Sequence, residues 1–350
     1  MQAPLSSHLN LLDLELMHHY STVTCYSFSV LPFKQNTWQD AVPREAQSYN
    51  FLMHAMLAIA AVQLVHARPE GHQLYKEAAR RHQNLALRTS IQHLHNVTQS
   101  NCHALFALSS IVAMLALKFP HPSNSRSSSA PVDEIVDFFR LLRGVKTVLE
   151  SASDWLLGGW LAPLLHYDWD PTLVPLPDDL RVAFDDVEAR NDAVTGDLKD
   201  RKAYHFALRN LKIKFQTSKV MEEEPALVFA WPVGVQEHYI SALRRHEPMA
   251  TVILAYYSVL LHTVDEQWWA AGRGSHLIEA ISRTLPPEWL PLIQWPREAV
   301  QLGWRCVVDR TPGCNSWRSL CVPQSISDDT GSGKNNMLQQ DWYQADCSVR

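Results

Sequence analysis

The sequence predicts an all-α fold, an irregular bundle of many helices. Apolar residues recur at helical spacing in one long segment after another. Only 12 glycines stand against 20 prolines and 12 tryptophans, whereas a sheet protein rich in glycine turns would show the opposite balance. With 350 residues, of which 46% are hydrophobic and 19% charged, the chain can bury a large core and is too apolar to be disordered.

The N-terminal segments predict two apolar helices. Residues 10–28 have helical apolar spacing and predict an amphipathic first helix, and Phe51–Val65 is apolar nearly all round, which is typical of a buried central helix. That segment is interrupted by His54 and Gln63 and is shorter than the roughly 20 apolar residues that cross a bilayer. No membrane span is therefore expected.

Two further helices are predicted before the middle of the chain. Residues 71–95 form a long polar segment that predicts an amphipathic helix, and residues 101–119 predict another buried helix, which Pro120 ends. The inner stripe predicted for the amphipathic helix consists of Leu74, Tyr75, Ala78, Leu85 and Leu87.

The second half alternates helical patterns with irregular segments. Residues 121–131 have loop composition, residues 168–179 are broken by prolines and predict an irregular crossover, and residues 184–200 are acidic and are interpreted as a solvated turn. The helical patterns in this half cover residues 133–150, 203–215, 235–245 and 248–262. Residues 1–296 are therefore predicted to form one helical domain, and residues 297–350, which lack periodicity, a poorly ordered tail.

Composition argues against several kinds of site. The net charge of −5 and the lack of a clustered basic surface argue against direct DNA contact. The six cysteines include no CxxC pair, and the histidines show no recurring metal-ligand spacing, so no metal is expected. No serine-hydrolase elbow or HExxH motif occurs, and we expect no cofactor and no catalytic residue.

One C-terminal stretch is open to more than one interpretation. Met249–Leu261 is an apolar run that carries Tyr256 and Tyr257, whose hydroxyls need partners if they are buried. Core packing and the wall of a ligand pocket both fit this pattern. The pair Trp268-Trp269 follows, before a glycine turn that lets backbone approach a neighbour or a ligand closely.

Several long segments resemble the C-terminal regulatory domain of fungal zinc-cluster transcription factors of the sterol uptake control protein family. The resemblance covers residues 11–296 in order. Its segments are LLDLELMHHYSTVTCYSF, VPREAQSYNFLMHAMLAIAAVQLVHARPE, NCHALFALSSIVAMLAL, EPMATVILAYYSVLLHTVDEQWWAAGRGSHLIEAI and PPEWLPLIQWP.

The resemblance implies an all-helical domain that encloses a hydrophobic cavity, binds a sterol or a similar lipid and is often dimeric. It implies control of sterol or secondary-metabolite genes, with the protein in the cytoplasm and the nucleus. The ligand-binding positions implied by the resemblance are Tyr256, Tyr257, Leu260, Trp268, Trp269, Gly272 and Gly274.

Two departures from the family pattern leave other functions open. The basic six-cysteine DNA-binding module has no counterpart in this sequence, and Arg273 stands between the two glycines where the family tends to have tryptophan. The alternatives are a metal-free, cofactor-independent cyclase of secondary metabolism that uses Tyr256, His262 or Arg273 in a shaped pocket, and a truncated partner that dimerises with intact regulators.

Overall fold

The structure, a computed structural model, is helical throughout its described part and confirms the predicted all-α class. It describes residues 10–119, 130–165, 174–194, 196–221 and 224–304, and no strand occurs among them. The α-helices are α1 Leu11–Thr22, α2 Pro32–Asn36, α3 Val42–Ala46, α4 Asn50–Ala67, α5 His72–Leu94, α6 Cys102–Lys118, α7 Ala130–Leu157, α8 Ala162–Leu165, α9 Asp178–Val194, α10 Leu198–Val220, α11 Ala226–Gly234, α12 Glu237–Arg244, α13 Pro248–Thr263, α14 Arg273–Thr284 and α15 Gln294–Gln301.

Short helices of other types connect some of these elements. Thr24–Phe28, Pro69–Gly71 and Pro287–Ile293 are 3₁₀ helices, and Thr37–Ala41 is a π-helical turn between α2 and α3. Residues 10–28, which the sequence predicts as one helix, are therefore divided into α1 and a 3₁₀ turn. The break follows Thr22, whose hydroxyl donates to the carbonyl of His18.

Helix α5 packs on α4 through residues that differ from the predicted inner stripe. The buried residues of α5 are mostly small, and Leu74, Leu85 and Leu87, assigned to its inner stripe, are exposed. Only Tyr75 and Ala78 of that stripe are buried. The physical reason is that alanine side chains allow two helix backbones to approach, so the larger leucines point away from the interface. The buried positions are Tyr75, Ala78, Ala79, His82, Ala86 and Ser90.

Helix α4 meets a length and composition test for a membrane span. It contains 18 residues with a mean hydropathy of 1.5, and 61% of that window is buried inside the structure. Its extent, Asn50–Ala67, is longer than the 15 or so residues of the predicted helix. Its apolar surface contacts α1, α5 and α6, as in the core helix of a globular domain.

Helix α13 lies at the centre of the C-terminal half. Every residue from Met249 to Leu261 is buried, and helices α9 to α12, α14 and α15 all contact it. Such a helix has no solvent-facing side, which explains why its sequence is apolar in all directions.

Most of the acidic segment 184–200, interpreted as a turn, is in fact helical. Residues 178–194 form α9, and Leu180, Phe184 and Val187 repeat at helical spacing on its buried face. The carboxylates lie on the opposite face in solvent, so the segment is a solvated helix surface. Helices α11, α14 and α15 were likewise not predicted.

Three of the irregular regions lie partly or wholly outside the described residues. They are the predicted loop at 121–131, of which the structure describes only the last two residues as the start of α7, the crossover at 168–179, described from residue 174, and the tail from residue 305 onward. Ala299 and Val300 of α15 are buried, so the packed helices continue past Pro296, the last residue of the predicted domain. The division into domain and tail stays a prediction.

Candidate functional site

A cavity of about 180 Å³ lies between helices from both halves of the chain. Its wall is mostly apolar, and its polar residues are few. The apolar and small lining residues are Phe28, Trp38, Phe106, Ala113, Met114, Leu142, Val145, Leu149, Leu164, Leu165, Ala226, Phe229, Ala230, Trp231, Val233 and Gly234. The polar lining residues are Lys34, Ser110, Lys146, Asn210, Lys214 and Glu224.

Three helices each turn one face toward this cavity. On α6 the lining residues follow the spacing i, i+4, i+7 and i+8 from Phe106, and on α7 the spacing i, i+3, i+4 and i+7 from Leu142. On α11 five of the six lining residues follow the spacing i, i+3, i+4, i+7 and i+8 from Ala226, and Trp231 is the sixth. These spacings define a single helix face. Residues of the segment 28–38, of α8 and of α10 contribute most of the remaining lining.

Two of the polar lining residues form a buried ion pair. Lys34 and Glu224 are each 1% exposed, and Lys34 Nζ lies 3.5 Å from Glu224 Oε1. Ser29 Oγ is 2.8 Å from Glu224 Oε2 and donates to the carboxylate, and the backbone N–H of Val30 donates at 3.2 Å. The carboxylate is therefore held from several sides, and the segment that begins at Ser29 is fixed to the start of α11.

Burial perturbs both members of this pair. Loss of solvent raises the pKa of Glu224, while the nearby Lys34 charge opposes the rise. Loss of solvent likewise lowers the pKa of Lys34, against the pull of Glu224. The neutral forms are thus favoured relative to water, which shows how weakly this environment solvates charge.

The two tyrosines assigned to the ligand site are core residues. Tyr256 donates its hydroxyl to the carbonyls of Ala183 and Leu292, and Tyr257 donates to the carbonyl of Val228 at 2.8 Å. Burial raises the pKa of both phenols well above the usual value, so both stay protonated donors at neutral pH.

Tyr257 and Trp269 lie one layer behind the cavity wall. The ring of Tyr257 stacks on the wall residue Trp231 with centroids 4.9 Å apart, and the ring of Trp269 lies 5.3 Å from that of Phe229. Leu260 is buried in α13. These residues support the wall without lining the cavity.

The tryptophan pair fixes the C-terminal half to the N-terminal segment. Trp268 Nε1 donates to Ser27 Oγ at 3.0 Å, and Trp269 Nε1 donates to the Ser27 carbonyl at 3.3 Å. Trp268 remains partly exposed, whereas Trp269 is fully buried. Both side chains therefore bind Ser27, which lies more than 240 positions earlier in the chain.

Glycine is required at each of the two positions in the turn for a different structural reason. Gly272 adopts a left-handed conformation with φ of 74° at the start of α14, and its N–H donates to Asp265 Oδ1. A Cβ on Gly274 would lie 2.6 Å from the Ser258 carbonyl, so only glycine allows α14 to lie this close to α13. Neither glycine lines the cavity, and the ligand-binding role of these seven residues stays a prediction.

The residues that do line the cavity were missed by sequence reasoning. Lys34 and Glu224 are 190 positions apart, and a single charge in each segment carries no local pattern. Lys34 stands in the mixed segment FKQNTW, where the local sequence gives no sign that the lysine is buried. Among the described residues no group of three or more His, Cys, Asp or Glu side chains is arranged to hold a metal ion.

The N-terminal helices match a known domain family, and longer parts of the chain match known proteins. Residues 15–153, from within α1 to within α7, match the Fungal specific transcription factor domain. A Zn(2)-C6 fungal-type transcription factor of Gibberella zeae is 25% identical over 309 residues, which is 82% of this chain and 61% of the relative.

Two further relatives match shorter parts of the chain. Sterol uptake control protein 2 of Candida albicans is 30% identical over 147 residues, 41% of this chain and 20% of the relative. Its namesake in Saccharomyces cerevisiae is 34% identical over 112 residues, 31% of this chain and 12% of the relative. The chain spans less than two thirds of each of these relatives. Residues 15–153 are therefore similar to the Fungal specific transcription factor domain, and the chain is similar to a Zn(2)-C6 fungal-type transcription factor and to sterol uptake control proteins.

Proposed function

We propose that this chain is a ligand-responsive regulatory domain that binds a sterol or a similar lipid in the cavity between α6, α7 and α11. The observation that carries the proposal is the cavity itself. A mostly apolar wall with a few polar residues is the usual form of a site for a small hydrophobic molecule. The names of two relatives, sterol uptake control proteins, point to the same ligand class.

The cavity volume indicates how such a ligand would act. About 180 Å³ is less than the roughly 300–1,000 Å³ of typical ligand sites, so a whole sterol enters only if the walls move apart. A ligand that binds the wider arrangement more tightly shifts the population toward it. The shift would be passed through Trp231 and Phe229 to the α13 core, and from there to the regulated surface.

The proposal extends to the place of action. We propose that the protein acts in the nucleus on genes of sterol or secondary metabolism, because one relative is a Zn(2)-C6 fungal-type transcription factor and another is a sterol uptake control protein. The family resemblance also predicts that the protein is retained in the cytoplasm and forms a homodimer, and both remain predictions.

Ergosterol titration with two readouts tests the ligand. Trp38 and Trp231 line the cavity, so binding should change tryptophan emission, and native mass spectrometry should show one added sterol mass per chain. Ala113→Leu, which places about three more carbon atoms in the cavity, should abolish both signals. Ala189→Leu, the same change at an exposed position of α9, should leave them intact.

The same titration separates the two candidate sites. If the ligand lies in the cavity, Tyr257→Phe keeps the affinity within about two-fold, since its hydroxyl is already bonded to Val228. If the ligand instead lies among the residues predicted from the family resemblance, Tyr257→Phe weakens binding and Ala113→Leu does not. No sterol bound in folded wild-type protein would contradict the proposed function.

A further inference from the structure

Helix α10 contributes two polar residues to the cavity lining, Asn210 and Lys214. They are four positions apart in the chain, so both side chains lie on the same face of the helix, about one turn from each other. Asn210 is 7% exposed, and Lys214 is partly exposed. Most of the other lining residues are apolar, so α10 supplies two neighbouring polar groups to an otherwise apolar cavity.

The carboxamide of Asn210 makes no hydrogen bond with any residue that the structure describes, and its polar atoms keep some accessible surface. A carboxamide carries two N–H donors and one acceptor oxygen, and leaving these groups unpaired among apolar side chains costs free energy. Buried polar groups in folded proteins normally have a partner. The unpaired Asn210 therefore points to a ligand that completes its hydrogen bonds.

The charged residues of the lining determine which head group fits. Lys34 and Glu224 enclose each other, with side chains 1% and 0% exposed, so this pair presents no charge to a molecule in the cavity. Lys214 is partly exposed, and the side chain of Lys146 on α7 is 16% exposed. Lys146 Nζ lies 3.5 Å from Glu150 Oε1, and Glu150 lies outside the described lining. Among the described lining residues, the charged side chains that keep accessible surface are thus both lysines.

One class of head group matches the amide and the lysines together. An ammonium would add a third cation near Lys146 and Lys214, and a pure hydrocarbon would leave Asn210 unpaired. A hydroxyl would pair with one of these groups through a bond that lacks an ionic partner on the ligand side. A carboxylate has two acceptor oxygens, one for an N–H of Asn210 and one for the ammonium of Lys214, whose flexible stem reaches along the helix. Bonds between ionised groups are roughly twice as strong as neutral ones.

We propose that Asn210 and Lys214 bind the carboxylate of an acidic amphiphile, whose apolar body lies along α6, α7 and α11. Lys146 adds a second positive charge to the same cavity. This inference rests on the proposed function of the cavity as the ligand site, and it narrows the ligand class to lipids that carry an acid group. It also assigns the head-group contact to α10, away from the tyrosines of α13.

Three probes of equal chain length test the head group. The full chain is titrated at pH 7.5 with decanoate, 1-decanol and decylamine below their aggregation concentrations, and isothermal titration calorimetry gives the dissociation constants. We expect decanoate to bind at least about ten-fold more tightly than 1-decanol, because the carboxylate gains charge-assisted hydrogen bonds. Decylamine should bind most weakly of the three, because its charge has the same sign as the two lysines.

Two variants should reduce the preference for decanoate. Asn210→Leu replaces the amide with an apolar group that has the same number of side-chain heavy atoms, and Lys214→Met removes the ammonium but keeps an unbranched chain. Each should lower the ratio of decanoate affinity to 1-decanol affinity by at least about five-fold. Lys202→Met, at an exposed position of α10 outside the described lining, should leave the ratio unchanged.

The stability of these variants separates binding from structure. Asn210→Leu removes an unpaired polar group, so its midpoint in urea should equal or exceed that of the wild type. A merely structural role for Asn210 would instead lower the midpoint and leave the affinity ratio unchanged. If Asn210→Leu fails to fold, the affinity ratio of Lys214→Met against that of Lys202→Met decides the test.

The remaining outcomes distinguish this inference from the proposed function. Wild-type preference for 1-decanol or decylamine, or a preference for decanoate that survives in both lining variants, overturns the inference. Ergosterol binding together with no preference for decanoate overturns this inference alone. Failure of ergosterol and all three decyl probes to bind folded wild-type protein contradicts the proposed function.

Discussion

Single glycines determine how closely the helices of the C-terminal half approach. Gly274 lies against the backbone of α13, where a Cβ would come within 2.6 Å of the Ser258 carbonyl and 2.7 Å of the His262 nitrogen. Both are backbone atoms and cannot rotate away. Gly144 on α7, by contrast, has no neighbour within 4 Å of a Cβ position.

The first prediction compares these two glycines. Gly274→Ala should lower the free energy of unfolding by about 1–3 kcal/mol or more, because α14 must move away from α13. Gly144→Ala should raise it by about 0.4–1 kcal/mol, because alanine restricts the unfolded chain and fits a helix. Urea denaturation followed by circular dichroism measures both. A Gly274→Ala protein as stable as wild type would contradict the close approach of these helices.

A histidine pair connects α4, α5 and α1. His54 Nδ1 and His82 Nδ1 are 3.0 Å apart, and His82 Nε2 lies 3.1 Å from Asp13 Oδ1. Loss of solvent lowers the pKa of both imidazoles, although the Asp13 carboxylate opposes the effect. A proton on each ring would place two cations in contact, with Arg81 beside them.

The second prediction follows from the sign of these shifts. Below pH 6.5 the unfolded chain binds protons that the folded pair resists, so stability falls as the pH drops, by at most about 1.4 kcal/mol per pH unit for each proton. His82→Gln should reduce the loss of stability between pH 7.5 and pH 5.5, whereas His205→Gln, at an exposed residue, should not. Denaturant midpoints at the two pH values measure the effect, and an equal loss in both variants would contradict it.

Between elements, Arg273 joins three helices near one point. Its Nη1 lies 3.2 Å from Glu134 Oε2 of α7, and its Nη2 donates to the carbonyl of Lys118 at the end of α6. The carbonyl is one of those left without a partner at a helix C-terminus. The arginine in the glycine turn is thus explained by contacts with α6 and α7.

The third prediction tests this junction. Arg273→Met should lower the free energy of unfolding by about 1–3 kcal/mol, because a charge-assisted bond to a helix end is lost. Arg273→Lys should recover only part of this, since one ammonium cannot reach two partners as a planar guanidinium does. Guanidinium denaturation measures both variants. Full stability in Arg273→Lys would show that charge alone suffices.

At the scale of the whole molecule, ligand binding and folding should be linked. The cavity exists only when α6, α7 and α11 are packed, so a ligand binds the folded state and not the unfolded chain. The fourth prediction is that ergosterol at 100 times its dissociation constant raises the free energy of unfolding by about 2.7 kcal/mol. Thermal denaturation with and without sterol measures this, and Ala113→Leu should show no rise.

How much the sequence predicts differs between the helices and the site. Long apolar segments such as α4, α6 and α13 were predicted because their apolar composition can be recognised in the local sequence without knowledge of the neighbouring helices. Helix α9 was missed because its exposed carboxylates dominate the local composition, while Phe184 and its few buried neighbours become informative only when α10 and α13 lie against them. Whether such a segment forms a packed helix depends on the neighbouring helices, and the local sequence carries no information about them.

The candidate site shows the same limit more strongly. The sequence by itself determined the all-α class and the buried character of Met249–Leu261, and the family resemblance suggested the regulatory role proposed above. Only the tertiary structure decided which apolar faces leave a cavity between them, and that Lys34 meets Glu224 there. The physical reason is that a helix period fixes which residues share a face, whereas packing between distant helices fixes what each face meets.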